Sequence, residues 1–352
     1  MLSLKSKKPL IISGPCSAES REQLLETAKE LAATGKVDIL RAGIWKPRTR
    51  PGSFEGHGEE GLKWLAEAKQ ITGLPIATEV ATAKHVELAL KYGVDLLWVG
   101  ARTTVNPFSV QEIADALKGS DVPVLVKNPM HPDIELWIGA VQRLQAAGVK
   151  EVGLIHRGFS AYGESRFRNN PQWHIAIEMR RRMSELPMIC DPSHICGCRD
   201  YLLEVSQRSA DMNFDGLIVE SHINPSEAWS DASQQLTPTD FNTMMESIQW
   251  RKESNNSEEY LAALEALRSQ IDGFDSEMLE LISKRMAVAT KIGEVKRENN
   301  VAILQTGRWS EILDKMKAQA AKHNLSSDLV IKILDAIHVE SINIQNNVMN
   351  KK

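Results

Sequence analysis

The chain has 352 residues, a net charge of −4, an apolar content of 42% and a charged content of 25%. These values are typical of a globular protein that is long enough for one full-sized domain and a second, smaller one. A net charge of −4 means that the clusters of arginine and lysine are local and that the chain as a whole is not basic, so we expect no nucleic-acid partner. Four cysteines in a chain of this length do not make a disulfide framework, which favours a reducing compartment and a cytoplasmic location.

Hydrophobic patterning gives no sign of a membrane protein. No stretch approaches the roughly 20 apolar residues that a membrane-spanning helix needs. The amino terminus carries lysines without a long apolar run behind them, unlike a signal peptide. We therefore expect no membrane partner.

Residues 1–250 alternate short apolar runs with amphipathic stretches. The predicted strands are Leu10–Ser13, Ile39–Ala42, Ile76–Glu79, Leu96–Gly100, Val122–Val126, Val152–Ile155, Met188–Cys190 and Gly216–Val219. The helices predicted between them are Arg21–Ala33, Glu59–Ile71, Ala83–Tyr92, Val110–Leu117, Ile134–Ala147 and His174–Ser184. Eight strands that alternate with helices over about 250 residues form the pattern of a (β/α)8 TIM barrel, with a doubly wound open sheet as the alternative.

Polar and reactive residues follow nearly every predicted strand, and this distribution favours the barrel. The segments are Gly14–Glu19, Arg41 with the basic loop behind it, Thr78–Glu79, Gly100–Arg102, Lys127–Pro129, His156–Gly158, Asp191–His194 and Glu220–His222. In a barrel all these strand ends face one mouth, whereas an open sheet collects its functional residues at one switch point. We therefore predict an active site built from the loops at that mouth.

One group of these residues has the chemistry of a metal site. Its thiol, imidazole and two carboxylates come from Cys16, His194, Glu220 and Asp231. Such a mixed set suits a divalent transition metal with an open coordination position. A rival soft cluster, Cys196 and Cys198 beside His194, is predicted past the strand end at the start of a helix.

A second group is cationic and surrounds the same mouth. Its members are Arg41, Lys46, Arg48, Arg102, Lys127 and Arg157. Guanidinium groups bind phosphate and carboxylate through two hydrogen bonds, and lysine acts as a point charge or a proton donor. The cluster therefore predicts substrates with several negative charges, most simply two phosphates and a carboxylate.

These residues lie in motifs that resemble a known family over residues 1 to about 245. The motifs are Gly14-Pro-Cys-Ser-Ala-Glu19, Lys46-Pro-Arg-Thr49, Gly100-Ala-Arg102, His156-Arg-Gly158, Asp191-Pro-Ser-His194 and Ser230-Asp-Ala-Ser-Gln-Gln-Leu236. Together they resemble the short bacterial form of 3-deoxy-D-arabino-heptulosonate 7-phosphate (DAHP) synthase, a relative of the 3-deoxy-D-manno-octulosonate 8-phosphate synthases. The resemblance implies an aldol-like condensation of phosphoenolpyruvate with erythrose 4-phosphate, the entry step of the shikimate pathway of aromatic amino acid biosynthesis.

The resemblance also implies roles for single residues. The implied ligands of a divalent metal ion of the Mn, Fe, Co or Zn class are Cys16, His194, Glu220 and Asp231. The implied site for the phosphoenolpyruvate phosphate is Arg102, Lys127 and Arg157. Arg41 and Lys46 match the side of that site that faces the carboxylate of phosphoenolpyruvate. Lys46 is also implied to protonate the developing alkoxide. Arg48 and Thr49 match the site for the aldehyde's phosphate.

Cys16 and the loop after the second strand bear on the alternative, an octulosonate enzyme that uses arabinose 5-phosphate. Some octulosonate enzymes carry Asn at the position of Cys16 and need no metal, so Cys16 implies a metal-dependent form. The octulosonate enzymes also have a different loop in place of Lys46-Pro-Arg-Thr49. Arg50 is a departure, because many relatives carry Ser there.

The remaining third of the chain has a different pattern. Residues 251–257 are polar throughout and predict a linker that joins the barrel to a helical domain over residues 258–352. Proline is absent from Glu258 to Asn299 and apolar residues keep helical spacing, which predicts one helix roughly 60 Å long. Two shorter helices are predicted at about Arg308–His323 and Asp328–Asn347, with Ser326 or Ser327 as the N-cap of the second. So long a helix cannot bury its apolar stripe against two short partners, and we expect a homodimer.

The spacing of polar residues in this all-α, three-helix domain is similar to that of the helical chorismate mutases over residues 261–348. The matching positions are Arg268, Arg285, Lys296, Arg308, Ser341 and Gln345. By resemblance the arginines bind the two carboxylates of chorismate, and Arg268 is donated across an intertwined dimer. Lys296 and Gln345 hydrogen-bond to the ether oxygen, which stabilises its growing charge as chorismate rearranges to prephenate.

Two departures from the mutases lie near the substrate hydroxyl. Trp309 stands where relatives often carry Glu, and Gln305 where they often carry Asp. The alternatives to an active mutase are a regulatory domain that only binds its ligand and a dimerisation module. The fusion also suggests feedback, in which chorismate or prephenate at this domain lowers synthase turnover.

Overall fold

The computed structural model describes residues 3–5, 9–47, 52–163, 165–252, 254–304 and 306–350. The chain divides into two compact units, Met1–Glu253 and Ser254–Lys352. The first unit is a closed β-barrel surrounded by helices, and the second consists of helices alone.

The barrel contains eight parallel strands that pair in chain order. They are β1 (Leu10–Gly14), β2 (Ile39–Arg41), β3 (Ile76–Val80), β4 (Leu96–Val99), β5 (Val124–Lys127), β6 (Val152–His156), β7 (Met188–Cys190) and β8 (Gly216–Glu220). β1 also pairs with β8, so that the sheet closes. At this closing pair Gly14 lies opposite Glu220, which brings the ends of both strands to the same level at the mouth.

Helices follow the strands around the outside. They are α1 (Arg21–Ala33), α2 (Glu59–Thr72), α3 (Ala83–Lys91), α4 (Ala101–Thr104), α5 (Pro107–Ala116), α6 (Ile134–Ala146), α7 (Trp173–Arg182), α8 (Pro192–Cys196), α9 (Leu202–Asp211) and α10 (Pro238–Ser247). Side-chain caps begin several of them, namely those at Ser20, Thr82, Asn106, Asp133, Asp191 and Thr237. Each such cap satisfies a free backbone N–H at the first turn and typically stabilises a helix by about 1 kcal/mol.

The predicted barrel is confirmed, and every predicted strand occurs within two residues of its observed bounds. Alternate strand residues fill the barrel interior, where Ile12, Ile39 and Trp98 join side chains from the other strands in one buried cluster. Trp98 is the widest of them and lies just below the mouth, with the guanidinium carbon of Arg41 4.9 Å from its ring centroid. A packed interior of this kind leaves only the mouth for a ligand.

One expectation near the seventh strand was wrong. The segment Cys196–Cys198 does not start a helix, because Cys196 is the last residue of α8. Gly197, with φ 70°, ends that helix in the left-handed conformation that glycine adopts at helix ends. Among the described residues, neither of these cysteines belongs to a group of potential metal ligands.

The second unit has three helices, α11 (Glu258–Glu298), α12 (Thr306–Lys322) and α13 (Ser327–Met349). Ser326 caps α13 by accepting a hydrogen bond from the backbone of Leu329. The carboxyl-terminal part of α11 packs against α13 so closely that a Cβ on Gly293 would lie 3.1 Å from Cα of Gln345. By contrast, almost every residue of α11 from 258 to 281 is exposed, Phe274 and Leu281 among them.

None of the helices in the described part of the chain combines the length and the apolar character that crossing a membrane requires.

Candidate active sites

Two glycines let the loops after β1 and β2 approach each other at the mouth. A Cβ on Gly14 would lie 2.0 Å from the carbonyl oxygen of Arg41, and a Cβ on Gly43 2.2 Å from that of Cys16. Both separations are too short for any side chain, so only glycine fits. The close approach places the Lys46 Nζ 2.9 Å from the Cys16 Sγ and 3.2 Å from the Cys16 carbonyl oxygen.

Three of the four predicted metal ligands come together here. Potential ligand atoms of Cys16, Glu220 and Asp231 all lie within 4.8 Å of one another. The Cys16 Sγ is 3.3 Å from Asp231 Oδ2. His194 lies at the edge of this group, with its Nε2 3.8 Å from Glu220 Oε1.

Each of the two carboxylates has one oxygen engaged by an amide or a guanidinium group. Glu220 Oε2 accepts a hydrogen bond from Gln234 Nε2 at 2.7 Å, and Asp231 Oδ1 accepts one from Arg168 Nη1 at 2.7 Å. Glu220 Oε1 is buried and has no hydrogen-bond partner among the described residues, although Arg41 Nη1 lies 3.3 Å away. Asp231 Oδ2 accepts a hydrogen bond from the Cys16 Sγ, and that bond is lost when the thiol ionises to bind a metal. Glu220 Oε1 and Asp231 Oδ2 are then the oxygens available to an ion.

Asp191 joins the metal-ligand group to the cationic group. It is fully buried, and its carboxylate oxygens lie 2.9 and 3.0 Å from His194 Nδ1 and 2.8 Å from Lys127 Nζ. Burial favours protonation, but His194 and Lys127 outweigh it and hold the pKa of Asp191 well below its usual range. A carboxylate at Nδ1 favours the tautomer in which Nε2 carries a lone pair, the form that binds metals.

Charges around Cys16 determine which groups carry protons. Burial and the nearby Glu220 carboxylate raise the pKa of the Cys16 thiol to about 12. Against the effect of burial, the Cys16 sulfur and Glu220 raise the pKa of Lys46, so that Lys46 keeps its proton. Burial by itself raises the pKa of Glu220 and Asp231, but the nearby His194 outweighs it, and both pKa values are lowered.

This set of donors fits a divalent transition metal. One sulfur, two carboxylate oxygens and one imidazole nitrogen are the ligand types that such ions accept together. A bound cation also favours loss of the Cys16 proton, because thiolate is the ligating form. The buried Glu220 Oε1, without a hydrogen bond from any described residue, is the kind of oxygen that an ion satisfies.

A cavity of about 350 Å³ opens beside these ligands. It is lined by Lys46, Pro47, Ser53, Glu79, Ala101, Arg102, Lys127, Arg157, Arg168, His194 and Asp231. Five of these side chains are cationic and two are acidic, so the cavity favours an anion with more than one negative charge.

The predicted phosphate-binding residues Arg102, Lys127 and Arg157 all line this cavity. Arg157 is held by a hydrogen bond from its Nη1 to Asn169 Oδ1 at 2.7 Å. Burial, together with the neighbouring cations Arg168 and Arg102, lowers the pKa of Arg157 to about 10 in spite of the nearby Asp191. Cations packed this closely repel one another, and an anion bound between them relieves that repulsion.

The structure does not bring all the predicted cations to the cavity. Arg41 is buried beneath it, against Glu220 and the Trp98 ring. Arg48, Thr49 and Arg50 lie outside the described residues.

Two cavity residues were missed as functional candidates. Glu79 was noted only as a polar strand end, yet its Oε2 accepts a hydrogen bond from Trp98 Nε1 at 2.9 Å, and a Cβ on Gly100 would clash with its carboxylate. Arg168 lies in the loop after β6, where no motif marks it. Its contact with Asp231, 63 residues further along the chain, exists only in the folded barrel.

The second unit has a cavity of about 460 Å³ between its helices. It is lined by Arg285, Val288, Ala289, Ile292, Lys296, Ile303, Arg308, Trp309, Ile312, His338, Ser341, Ile342 and Gln345. Five of the six residues predicted from the mutase pattern are therefore in one cavity. The sixth, Arg268, lies in the exposed part of α11 and does not line it.

Hydrogen bonds order several of these side chains. Arg285 Nη1 donates to Ser341 Oγ at 2.6 Å, and Lys296 Nζ donates to the carbonyl oxygen of Ile303. Gln345 is buried, and its Oε1 has no hydrogen-bond partner in the described part of the chain. A buried amide oxygen of this kind, beside an apolar wall, is available to a ligand.

Aromatic stacking distinguishes one wall of this cavity. The Trp309 and His338 rings stack with centroids 3.9 Å apart and an interplanar angle of 11°. Burial and the nearby Arg285 lower the pKa of His338. Gln305, the other departure noted in the sequence, lies outside the described residues.

Comparison with known families gives two matches. Residues 4–257 match the model of the DAHP synthetase I family, and residues 267–346 match that of chorismate mutase type II.

Several individual proteins are similar to the barrel. A phospho-2-dehydro-3-deoxyheptonate aldolase from Thermotoga maritima is 36% identical over 242 residues, which cover 69% of this chain and 68% of that protein. A 2-dehydro-3-deoxyphosphooctonate aldolase from Wolinella succinogenes is 27% identical over 257 residues, which cover 65% of this chain and 94% of that protein. The crystal structure of a DAHP synthase from Thermotoga maritima is similar with a TM-score of 0.61 and 34% identity, covering 67% of each chain.

Proposed function

Because the chain belongs to the DAHP synthetase I family and carries a chorismate mutase type II domain after the barrel, we propose that it catalyses two reactions. The barrel condenses phosphoenolpyruvate with erythrose 4-phosphate to DAHP and inorganic phosphate. The helical domain rearranges chorismate to prephenate. The observation that carries the first proposal is the convergence of five cations on a cavity beside the Cys16, Glu220 and Asp231 cluster.

In this proposal the cations bind and orient phosphoenolpyruvate. Arg102, Lys127 and Arg157 bind its phosphate, and Lys46 faces its carboxylate, with the charge of Arg41 behind. Arg48 and Thr49, by resemblance, bind the phosphate of the aldehyde. Fixing both substrates between rigid strand ends makes the carbon–carbon bond formation effectively intramolecular.

Cys16, His194, Glu220 and Asp231 would hold a divalent metal ion, which supplies Lewis-acid polarisation of the aldehyde oxygen when bound. The third carbon of phosphoenolpyruvate forms a bond to the aldehyde carbon, and Lys46 gives its proton to the resulting alkoxide. Water adds its oxygen at the second carbon, and the bond from that carbon to the phosphate oxygen breaks as inorganic phosphate leaves. One proton of the water leaves with the phosphate, and the other replaces the proton that Lys46 gave up.

The first experiment follows loss of the phosphoenolpyruvate ultraviolet absorption with either aldehyde, with and without a chelator. We expect loss with erythrose 4-phosphate only, and none after chelation. Turnover with arabinose 5-phosphate instead would favour the octonate reaction named for the Wolinella succinogenes relative. Full turnover of chelated enzyme, or of Cys16→Ser stripped of metal, would contradict the metal proposal.

For the helical domain, the support is the cavity that collects Arg285, Lys296, Ser341 and Gln345. Arg285 and Arg308 bind the two carboxylates. Lys296 and the Gln345 Nε2, whose other N–H donates to the carbonyl oxygen of Ser341 at 3.2 Å, donate hydrogen bonds to the ether oxygen. Negative charge grows on the ether oxygen as the bond breaks, so Lys296→Ala is expected to lower mutase turnover by at least about 100-fold. An unchanged rate would reject the role of Lys296, and no turnover by the unmodified chain would leave the domain a regulatory or dimerisation module.

We also propose that the helical domain forms a homodimer through α11 and that its ligands regulate the barrel. The exposed apolar side chains of α11 support the dimer, and Arg268 would reach the cavity of the partner. Chorismate or prephenate bound at the helical domain would lower synthase turnover. Synthase rates of the full chain that do not respond to prephenate would contradict the regulation.

A further inference from the structure

Two consecutive glutamines, Gln234 and Gln235, are completely buried beside the metal-ligand cluster, and none of the roles proposed above uses them. They follow Asp231 in a turn, in which the backbone N–H of Gln234 donates to the Asp231 carbonyl oxygen at 3.1 Å. Leu236 then returns to form a bridge with Ser221 at the end of β8. The turn thus brings both glutamines next to the metal-ligand cluster.

Gln234 hydrogen-bonds to the Glu220 carboxylate with one end of its amide and to the Arg168 guanidinium with the other. Its Nε2 donates to Glu220 Oε2 at 2.7 Å, and its Oε1 accepts from Arg168 Nη1 at 2.9 Å. The same Arg168 Nη1 donates to Asp231 Oδ1 at 2.7 Å. A carboxylate requires a donor and a guanidinium requires an acceptor, so these partners fix the orientation of the amide. Gln234 therefore engages one oxygen of Glu220 directly and one of Asp231 through Arg168.

Gln235 connects the two segments that supply Cys16 and Asp231. Its Oε1 accepts from the backbone N–H of Cys16 at 2.9 Å, and its Nε2 donates to the carbonyl oxygen of Ser230 at 2.9 Å. The hydroxyls of Ser17 and Ser230 are also hydrogen-bonded to each other. Asp231 has φ 49°, a left-handed conformation that costs free energy outside glycine and persists only when its surroundings hold it.

We propose that Gln234 and Gln235 are positioning residues of the metal site. Gln234 determines which carboxylate oxygens face the ion, and Gln235 sets the separation between Cys16 and Asp231. This inference rests on the proposed binding of a metal by Cys16, Asp231 and Glu220. Ligands that are already in place lose less freedom when the ion binds, so the two amides raise its affinity.

The test replaces each amide by a side chain of similar length that makes no such hydrogen bonds, in Gln234→Met and Gln235→Met. The matched control is Gln207→Met. The Gln207 amide also uses both ends, donating to Asp211 Oδ1 at 3.0 Å and accepting from the Gln249 backbone at 2.8 Å, but it lies on α9 and does not line the cavity. The probe is Cd²⁺, titrated into the metal-stripped full chain and followed by the ultraviolet thiolate-to-cadmium charge-transfer absorption. Cys16→Ser identifies the part of that absorption that comes from Cys16.

We expect each of the two variants to bind Cd²⁺ about 10- to 100-fold more weakly than the unmodified chain, the usual effect of losing an outer hydrogen bond to a metal ligand. Gln207→Met should bind as the unmodified chain does. Far-ultraviolet circular dichroism checks the fold. For a variant that does not fold, Asn in place of Met keeps the polarity and shortens the reach, and the same weakening is expected.

Different results would overturn different proposals. Unchanged Cd²⁺ affinity in both variants would reject the positioning role and leave the proposed metal site intact. Equal weakening in Gln207→Met would also reject it, since the loss would then be general. An unmodified chain that gives no Cys16-dependent absorption would reject the metal site and the positioning role together.

Discussion

At the scale of single residues, the barrel uses a buried histidine as an apolar ring. His156 is fully buried at the end of β6, with its ring 5.2 Å from that of Trp173 and within 6.2 Å of Phe159 and Phe214, centroid to centroid. Burial lowers its pKa from 6.5 to about 3. The neutral ring therefore packs like a phenyl group, and its protonation opposes folding.

This shift predicts how acid affects stability. Above its ordinary pKa the histidine is neutral in the folded and unfolded chain, and it has no effect on the pH dependence. As the pH falls below about 6.5, the unfolded chain takes up a proton that the folded barrel does not, so stability falls by up to about 1.4 kcal/mol per pH unit until about pH 3. His156→Phe should therefore lose about 2 kcal/mol less than the unmodified protein between about pH 7 and about pH 5.

Urea unfolding followed by tryptophan fluorescence measures this difference, since seven of the eight tryptophans precede residue 251. His174→Phe is the control, because His174 is exposed on α7. Equal acid sensitivity of His156→Phe and the unmodified chain would show that another group dominates.

At the scale of helices and strands, the sequence predicted the elements whose apolar residues keep a clear period. All eight strands and the helices α1–α3, α6 and α7 were predicted within about two residues, because apolar runs mark the strands and apolar residues with helical spacing mark the helices. α9 was missed, although its buried face keeps helical spacing, because Ser206 and Ser209 lie between the large apolar residues Leu202 and Val205 and the small Ala210. α8 has only five residues, too few to show a period.

In the site, too, residues that follow a pattern along the sequence were predicted, and contacts that arise only from folding were not. The polar residues after the strands predicted Cys16, His194, Glu220 and Asp231 as one group. The structure brings ligand atoms of Cys16, Glu220 and Asp231 within 4.8 Å, with His194 Nε2 3.8 Å from Glu220 Oε1. Arg168 and the pairing of Gln234 with Glu220 could not be predicted, because these contacts arise from loop paths and not from a spacing along the chain.

Packing between α11 and α13 gives a prediction for the helical unit. A Cβ at Gly293 would lie 3.1 Å from Cα and 3.3 Å from Cγ of Gln345, and 3.3 Å from the Val348 Cβ. In Gly293→Ala, α13 must therefore move by a few tenths of an ångström at Gln345. Since small displacements of catalytic groups cost large factors in rate, we expect mutase turnover to fall by roughly tenfold.

Steady-state mutase kinetics test this expectation. Gly139→Ala is the control, because Gly139 lies within helix α6 of the barrel and a Cβ there meets no atom of the described chain within 4 Å. Retained helix content in both variants, with loss of turnover in Gly293→Ala alone, is the expected pattern. Full turnover in Gly293→Ala would mean that α13 yields without moving Gln345.

At the scale of the whole molecule, the exposed apolar residues of α11 bear on the proposed homodimer. The helix has 41 residues, and Phe274 and Leu281 on its first part are 66% and 65% exposed. A row of exposed apolar side chains on one helix is typical of an interface. Phe274→Glu should therefore lower the particle mass in light scattering, and also mutase turnover, because Arg268 would no longer reach a neighbouring cavity.

The control is Ile177→Glu, which introduces the same charge at an apolar side chain that is 57% exposed on α7 of the barrel. It should change neither the mass nor mutase turnover. A Phe274→Glu protein with the mass and mutase rate of the unmodified chain would contradict a dimer through α11.

The closing pair of the barrel has a consequence for the order of folding. Cys16 and Asp231 are 215 positions apart, and they meet only after β1 has paired with β8. Contacts this distant in sequence form late, and a partly assembled barrel without β8 lacks the complete chelating set. An ion bound by the proposed set would therefore add its binding free energy to the closed barrel alone and stabilise the completed fold over partly assembled forms.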